Sequence, residues 1–298
     1  MATASRENQI QARLLRPPAE LSRYFTSFYY MEFLGSGDIV VDYLHPEWAN
    51  LRFFFGNSPD PEGRQNSRIG DTSFYAAGPS TKAQRFTLQP PYRMWGMGLT
   101  PLGWEKYVCS DAAPLADAMV GGFDHPVYGQ FSDLALELGA GPPDIEAEYQ
   151  QIARYFIARA DRPVADEARI LALHTALVSP ETSTVAQLVA LTGTSQRIVA
   201  RISHRVFGFA PKLLLRRQRF LRSLAHYLTE PEHKWIGAID SQYTDQAHFV
   251  HDFKEFMGMT PRQYAAIDKP ILGAFLRIRA QIAGQPVQAL DPPQGEAG

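Results

Sequence analysis

The sequence predicts an α+β protein in which a β-rich N-terminal domain is followed by an all-α C-terminal domain, and three observations carry that expectation. From Ser22 to about Trp104, short aromatic and β-branched runs such as YFTSFYYMEF, DIVVDYL, NLRFFFG and YRMWGMGL are punctuated by Gly, Pro and Asn every 8 to 15 residues. That is the pattern of antiparallel strands in a barrel or sandwich. Afterwards helical spacing takes over: IEAEYQQIARYFIARA puts Ile145, Tyr149, Ile152 and Phe156 on one face, as an amphipathic helix requires. Finally, SQRIVARISHRVFGFAP from Ser195 and DQAHFVHDFKEFMGMTP from Asp245 align at a constant offset of 50, sharing Gln, Gly and Pro and matching apolar positions. A repeat of that kind is one small helical unit used twice.

The boundaries follow from these shifts. Residues 1–160 form the β-rich domain with trailing helices, ADRP marks a break, and residues 164–270 form the helical domain. Residues 284–298, ending in GQPVQALDPPQGEAG, are expected to be disordered. In the helical part, Ser195 and Asp245 suit N-caps, Gly208 and Gly258 suit left-handed C-terminal caps, and Pro211 and Thr260-Pro261 suit the next helix starts. A further break is expected at EPEH, residues 230–233.

A chain of 298 residues is long enough for two cores, and 45% apolar with 20% charged residues is ordinary for a globular protein. The single cysteine, Cys109, excludes an internal disulfide framework and reads as a small core residue in a reducing cytoplasm. No run approaches the ~20 apolar residues of a membrane span, and the polar start MATASRENQIQARLLRPP lacks a signal-peptide core.

The net charge of -2 says little, but its distribution says more. From Ser195 to Arg222 the chain carries eight Lys or Arg residues and no Asp or Glu, a local field suited to a polyanion. Arg197, Arg201, His204 and Arg205 fall opposite the apolar stripe of Ile198, Val199, Ile202 and Val206. Because TVAQLVALTGTS precedes them, the pattern is helix, tight turn and basic helix. That spacing presents the second helix to a DNA major groove.

Residues 184–266 resemble the DNA-binding region of the AraC/XylS family of transcription regulators. The resemblance rests above all on DQAHFVHDFKEFMGMTPRQY, through Asp245-Gln246, Phe249, Phe253-Lys254, Gly258, Thr260-Pro261 and Tyr264. It implies two helix-turn-helix units joined by a long helix, here Lys212 to Leu228, with the β-rich domain as a cupin-like effector-binding or dimerisation domain. It implies base contacts from Arg197, Ala200 and Arg201 in the first unit and from Gln246, Ala247, Val250 and His251 in the second. Backbone contacts are expected from Ser195, His204, Arg205, Arg216, Arg217, Arg219 and Lys254. Double-stranded DNA is the implied partner, with a small-molecule effector, a homodimer and RNA polymerase contact as further implications of a sequence-specific regulator. Gln242 stands where the family's second turn has Gly, Gly237 where Ile is usual, and Ser203 where an aromatic is usual. His251 stands where Arg is common, which gives the second helix fewer donors.

Other classes fit the residues less well. His248 and His251 are three apart and lack the HExxH pattern of helical zinc sites, and His248 aligns with apolar Ile198, so it reads as a half-buried packing residue. A small-molecule- or metal-binding cupin-like protein or enzyme with an accessory helical domain is the alternative, with His45, Glu47 and His125 as its scattered candidates for a metal. They form no ligand cluster in the sequence, and no phosphate loop or nucleophile motif accompanies them, so no catalytic residue, cofactor or metal is expected. Tyr29, Phe53, Phe55, Tyr75 and Trp95 are the candidates for an apolar effector pocket.

Overall fold

The computed structural model describes residues 10–34, 39–57, 60–62, 72–230, 235–284 and 286–294. Among the described residues, nine strands make two antiparallel sheets. The larger has the order β1 (Ile10–Leu15), β2 (Phe25–Phe33), β8 (Tyr92–Leu99), β4 (Ala49–Gly56), β6 (Phe74–Ala77), β9 (Met119–Gly121), and the smaller has β3 (Val40–Leu44), β7 (Gln84–Leu88), β5 (Asp60–Glu62). This is the β-rich domain that the aromatic runs predict.

Both faces of the larger sheet are covered, so its central strands are buried throughout instead of alternating. On one face Phe28, Tyr30, Phe53, Trp95 and Met97 pack under α1 (Ser132–Gly139), α2 (Ile145–Ile157) and the turn 101–108. On the other, Met31, Phe33, Phe54, Tyr75 and Met94 meet Val40, Phe86 and Leu88 of the smaller sheet. Buried Glu148 of α2 accepts hydrogen bonds from Arg93 (2.7 Å) and from the Trp95 indole (2.6 Å). That carboxylate is therefore paired and fixes the helix to the sheet.

The helices that follow are α3 (Glu167–Val178), α4 (Val185–Thr192), α5 (Gln196–Phe207), α6 (Pro211–Thr229), α7 (Trp235–Ala238), α8 (Gln246–Met257), α9 (Pro261–Ala266) and α10 (Pro270–Ala283). The caps are as the sequence predicts: Ser195 and Asp245 accept the N–H groups of Ile198 and His248, and Gly208 and Gly258 sit at φ +80° and +70°. The expected break at EPEH falls largely on residues outside the described ones. Among the described residues no helix is long and apolar enough to cross a membrane.

The two parts share a core. Trp48 and Leu102 of the β-domain pack with Ile170, Phe207, Leu214 and Phe220 of the helices. The β-domain also reaches the ends of both repeated helices, since the Ala112 N–H donates to the Arg205 carbonyl in the last turn of α5 (2.8 Å) and the Ala83 N–H to the Phe256 carbonyl in the last turn of α8 (2.7 Å). Carbonyls of a last helical turn lack intrahelical partners, and here another domain supplies them.

Two expectations fail. Cys109 is exposed, at φ +52° in the left-handed region just after the turn 104–108, and is not a core residue. Of the tail expected to be disordered, residues 286–294 are ordered against the body: Val287, Ala289 and Leu290 are buried, and the Ala289 carbonyl accepts from fully buried Gln218 of α6 (2.6 Å). Its low charge and prolines mimic a disordered composition, but three apolar side chains suffice to anchor it. Gly295 to Gly298 lie outside the described residues.

His174 is buried edge-on between Trp48 and Phe207, and burial pulls its pKa down to about 3. Burial does the same to His45, down to about 3. Between about 6.5 and 3 the unfolded chain therefore binds protons at these positions that the folded chain does not, so stability falls as pH drops. Asp42, raised by burial to about 6, acts in the opposite sense below that pH. His174→Phe should remove a slope of about 1.4 kcal/mol per pH unit, so its urea midpoint should fall less than the parent's between pH 6.5 and 5. An unchanged slope would rule this out.

Candidate nucleic-acid interface

Two helix-turn-helix units stand side by side with α6 between them. In the first, α4 begins with a capping box of Thr184 and Gln187, ends at Gly193 (φ +60°), and turns directly into α5. In the second, the short helix α7 leads through Asp240 and Tyr243 into α8. The absent turn glycine is accommodated there. The Gln242 N–H donates to the Asp240 carboxylate (2.9 Å), and its side chain links Arg222 to the Pro180 carbonyl. Gly237 is exposed on α7, and Ser203 is fully buried in the α5 core face with its Oγ lacking a partner among the described residues. The aromatics Phe249, Phe253 and Phe256 anchor α8 under Trp235 and Tyr264.

The residues named for base contact lie on α5 and α8. Arg197, Arg201, Gln246, Ala247 and His251 are exposed, while Ala200 and Val250 are half-buried beside them. Ser195, His204 and Lys254 are exposed as well. Arg201 is not free: it pairs with Asp166 (2.8 Å) while its side chain keeps 52% exposure. Arg201 and Arg169 together hold the Asp166 carboxyl below the usual carboxylate range.

The other arginines named for backbone contact have different work. Arg217 is fully buried; its guanidinium lies 4.0 Å from the Trp48 ring centroid and donates to the Ser80 carbonyl (3.0 Å). It cannot reach a phosphate. Arg205 is paired with Glu105 of the β-domain and with Asp166. Arg216 binds Asp252 and Glu255 (both 2.6 Å), Arg219 binds Asp252 (3.0 Å), and Arg222 binds Asp240 (2.5 Å). The field read from the linear run of eight basic residues is thus largely neutralised within the fold. The missed residues are the acidic partners, which lie elsewhere in the chain; Asp252 and Glu255, spaced i and i+3 on α8, were the only visible hint.

Burial pushes the Asp252 carboxyl up, but Arg216 and Arg219 more than offset this and hold it below its usual range. His248 is half-buried as expected, edge-on to Tyr243 and within hydrogen-bond reach of Arg219 and Thr244. His251, Asp252 and Glu255 bring ligand atoms within 4.8 Å of one another, but Arg216 already occupies both carboxylates. Between the units, Thr184, Val185, Lys212, Arg216 and His251 border a cleft of about 710 Å³. Lys212, one of the eight residues of the basic run, and Arg262, not singled out from the sequence, are exposed beside these helices.

The effector candidates divide by strand parity. Tyr29 and Tyr75 line a cavity of about 150 Å³ between the sheets. Phe53, Phe55 and Trp95 do not: Phe53 and Trp95 point to the opposite face, and Phe55 packs there under the Arg93 guanidinium. One residue along a strand reverses the face. The Tyr29 ring is admitted by Gly96, where a Cβ would stand 2.0 Å from it.

Residues 188–267 match the helix-turn-helix domain family. No curated protein matches the chain by sequence. Among solved structures, the chain is similar to ToxT from Vibrio cholerae at 11% identity, covering 86% of this chain and 97% of that one with a TM-score of 0.40. It is also similar to unsaturated fatty acid-bound ToxT from Vibrio cholerae, at 10% identity, 86% and 93% coverage and a TM-score of 0.36. The AraC-like transcriptional activator CuxR is similar at 14% identity, 80% and 94% coverage and a TM-score of 0.27.

Proposed function

We propose, on the premise that residues 188–267 match the helix-turn-helix domain family, that the protein is a sequence-specific DNA-binding transcription regulator of the AraC type whose N-terminal domain takes a small-molecule effector. The observation that carries this reading is the pair of equivalent helices, α5 and α8, each capped alike and each leaving its N-terminal polar residues exposed. Arg197 is the leading base reader, since guanidinium can bond guanine O6 and N7 together. Arg201 reads after exchanging Asp166 for a base. Gln246 and His251 read from the second unit, with Lys212, Lys254, Ser195 and His204 at the phosphates. The effector's place is the cavity between the sheets, bordered by Tyr29 and Tyr75.

Selection of binding sites from a random DNA pool by the full chain tests the reading; retention of every sequence alike would refute it. Arg197→Ala should cost about 1–3 kcal/mol and relax preference at one base pair. Lys254→Ala should weaken all sequences evenly and lower the salt slope by about one, as titrations at several salt concentrations would show.

A further inference from the structure

The cavity between the sheets is small, electrically balanced and partly walled by the chain's C-terminal segment. At about 150 Å³, it matches the volume of an apolar protein cavity known to hold benzene, and falls well below the ~300 Å³ at which pockets for drug-sized molecules begin. Its walls are mainly apolar: Met31, Phe54, Met94 and Met119 from the larger sheet, and Phe86 and Leu88 from the smaller.

The charges on the wall are already paired, and the polar atoms left without a partner there among the described residues are Arg52 Nη1, Arg279 Nε and His45 Nδ1. Arg52 binds both carboxylate oxygens of Glu47 (2.8 Å each), and Arg279 is paired with Asp291. His45 bonds Tyr264 (2.8 Å), and burial keeps it neutral, its pKa held down to about 3. The neutral polar groups also serve one another: the Tyr29 hydroxyl donates to Asn50, Asn50 to Gln288, and Gln288 to Thr26. An ion entering here would lose its water and find no unmatched opposite charge, a cost that a neutral molecule avoids. A long acyl chain would exceed the space.

We propose that this cavity binds a small, uncharged, mainly apolar ligand about the size of one substituted ring. The proposal rests on the effector reading above and narrows it to a chemical class. Such a ligand touches more than the β-domain. Ile271, Leu272, Phe275 and Leu276 of α10 form part of the wall, and α10 follows the last helix of the second DNA-binding unit after three residues. Its first turn is held by Asp42, whose carboxylate accepts the N–H groups of Ile271 (2.7 Å) and Leu272 (2.9 Å). Phe275 sits edge-on to Tyr29, ring centroids 5.3 Å apart. The ligand therefore lies against the segment that connects the cavity to the DNA-binding helices.

Titration calorimetry of the full chain with toluene, benzoate and decanoate tests this, with selected DNA sites bound in the same preparations. Toluene should bind saturably at one site per chain, and benzoate and decanoate at least tenfold more weakly. Leu276→Phe, which fills the cavity, should weaken toluene at least tenfold; if that variant does not fold, Phe275→Ala should instead gain saturable binding of naphthalene. Benzoate or decanoate binding as tightly as toluene would overturn the proposed class while leaving an effector site in place. Absence of toluene binding with DNA selection intact would overturn the proposal alone, and loss of DNA selection in the parent chain would overturn the regulator reading beneath it.

Discussion

Asp252→Ala should destabilise the second helix-turn-helix unit by about 2–4 kcal/mol. Removing one member of a buried ion pair costs more than the pair contributes, because the remaining charges lose their partner; here Arg216 and Arg219 are partly exposed and recover some hydration, which keeps the figure below the upper end for buried pairs. Asp252 also accepts from the Tyr243 hydroxyl (3.1 Å), so the substitution frees the turn before α8 along with the helix. Denaturant unfolding and amide exchange along α8 measure it, and contact with the second half of a selected DNA site should weaken with the fold. A change below about 0.5 kcal/mol, the range of ordinary surface substitutions, would refute the assignment. The sign of the pH dependence follows from the depressed carboxyl: its stabilisation is present above the ordinary Asp value and is lost as pH falls through the lowered one.

Arg217→Ala should cost about 3 kcal/mol of stability, from the emptied space under Trp48 and the donor lost to the Ser80 carbonyl. Arg217→Met should recover roughly half, since it restores volume without the hydrogen bonds. Neither substitution should alter the salt slope of DNA binding, because this guanidinium meets no phosphate. A lowered slope with unchanged stability would show the opposite, and thermal unfolding beside salt-dependent titration separates the two outcomes.

Much of the fold is legible in the sequence because local signals and packing agree there. The N-caps at Ser195 and Asp245, the left-handed glycines 208 and 258 and the 50-residue repeat are each decided within a few residues. Strand existence is legible for the same reason. Strand facing is not: with both faces of the larger sheet buried, Phe53 and Phe54 look alike in sequence, and only the cover on each side distinguishes a cavity wall from a helix-covered core. The basic run was misleading for a related reason. Arg205, Arg216, Arg217 and Arg219 form a stripe of charge in one dimension, but the carboxylates that pair with three of them and the carbonyls that accept from Arg217 lie 33 to 170 positions away, a range no local pattern covers. Arg197, in the first turn of α5, stays exposed, and its place at the helix start is set by the local N-cap signal alone.

The two backbone bonds by which Ala112 and Ala83 hold the last turns of α5 and α8 make the β-domain a spacer bar between these two helices. On the proposed function, the distance and rotation between them are set before DNA arrives. A target whose halves are shifted by one base pair would present its second half rotated by about a tenth of a helical turn, and the protein would have to break one of those bonds to follow it. Any signal that moves Ala83 relative to Ala112 would therefore retune which spacing of half-sites fits, changing the choice of target without touching a residue that meets DNA.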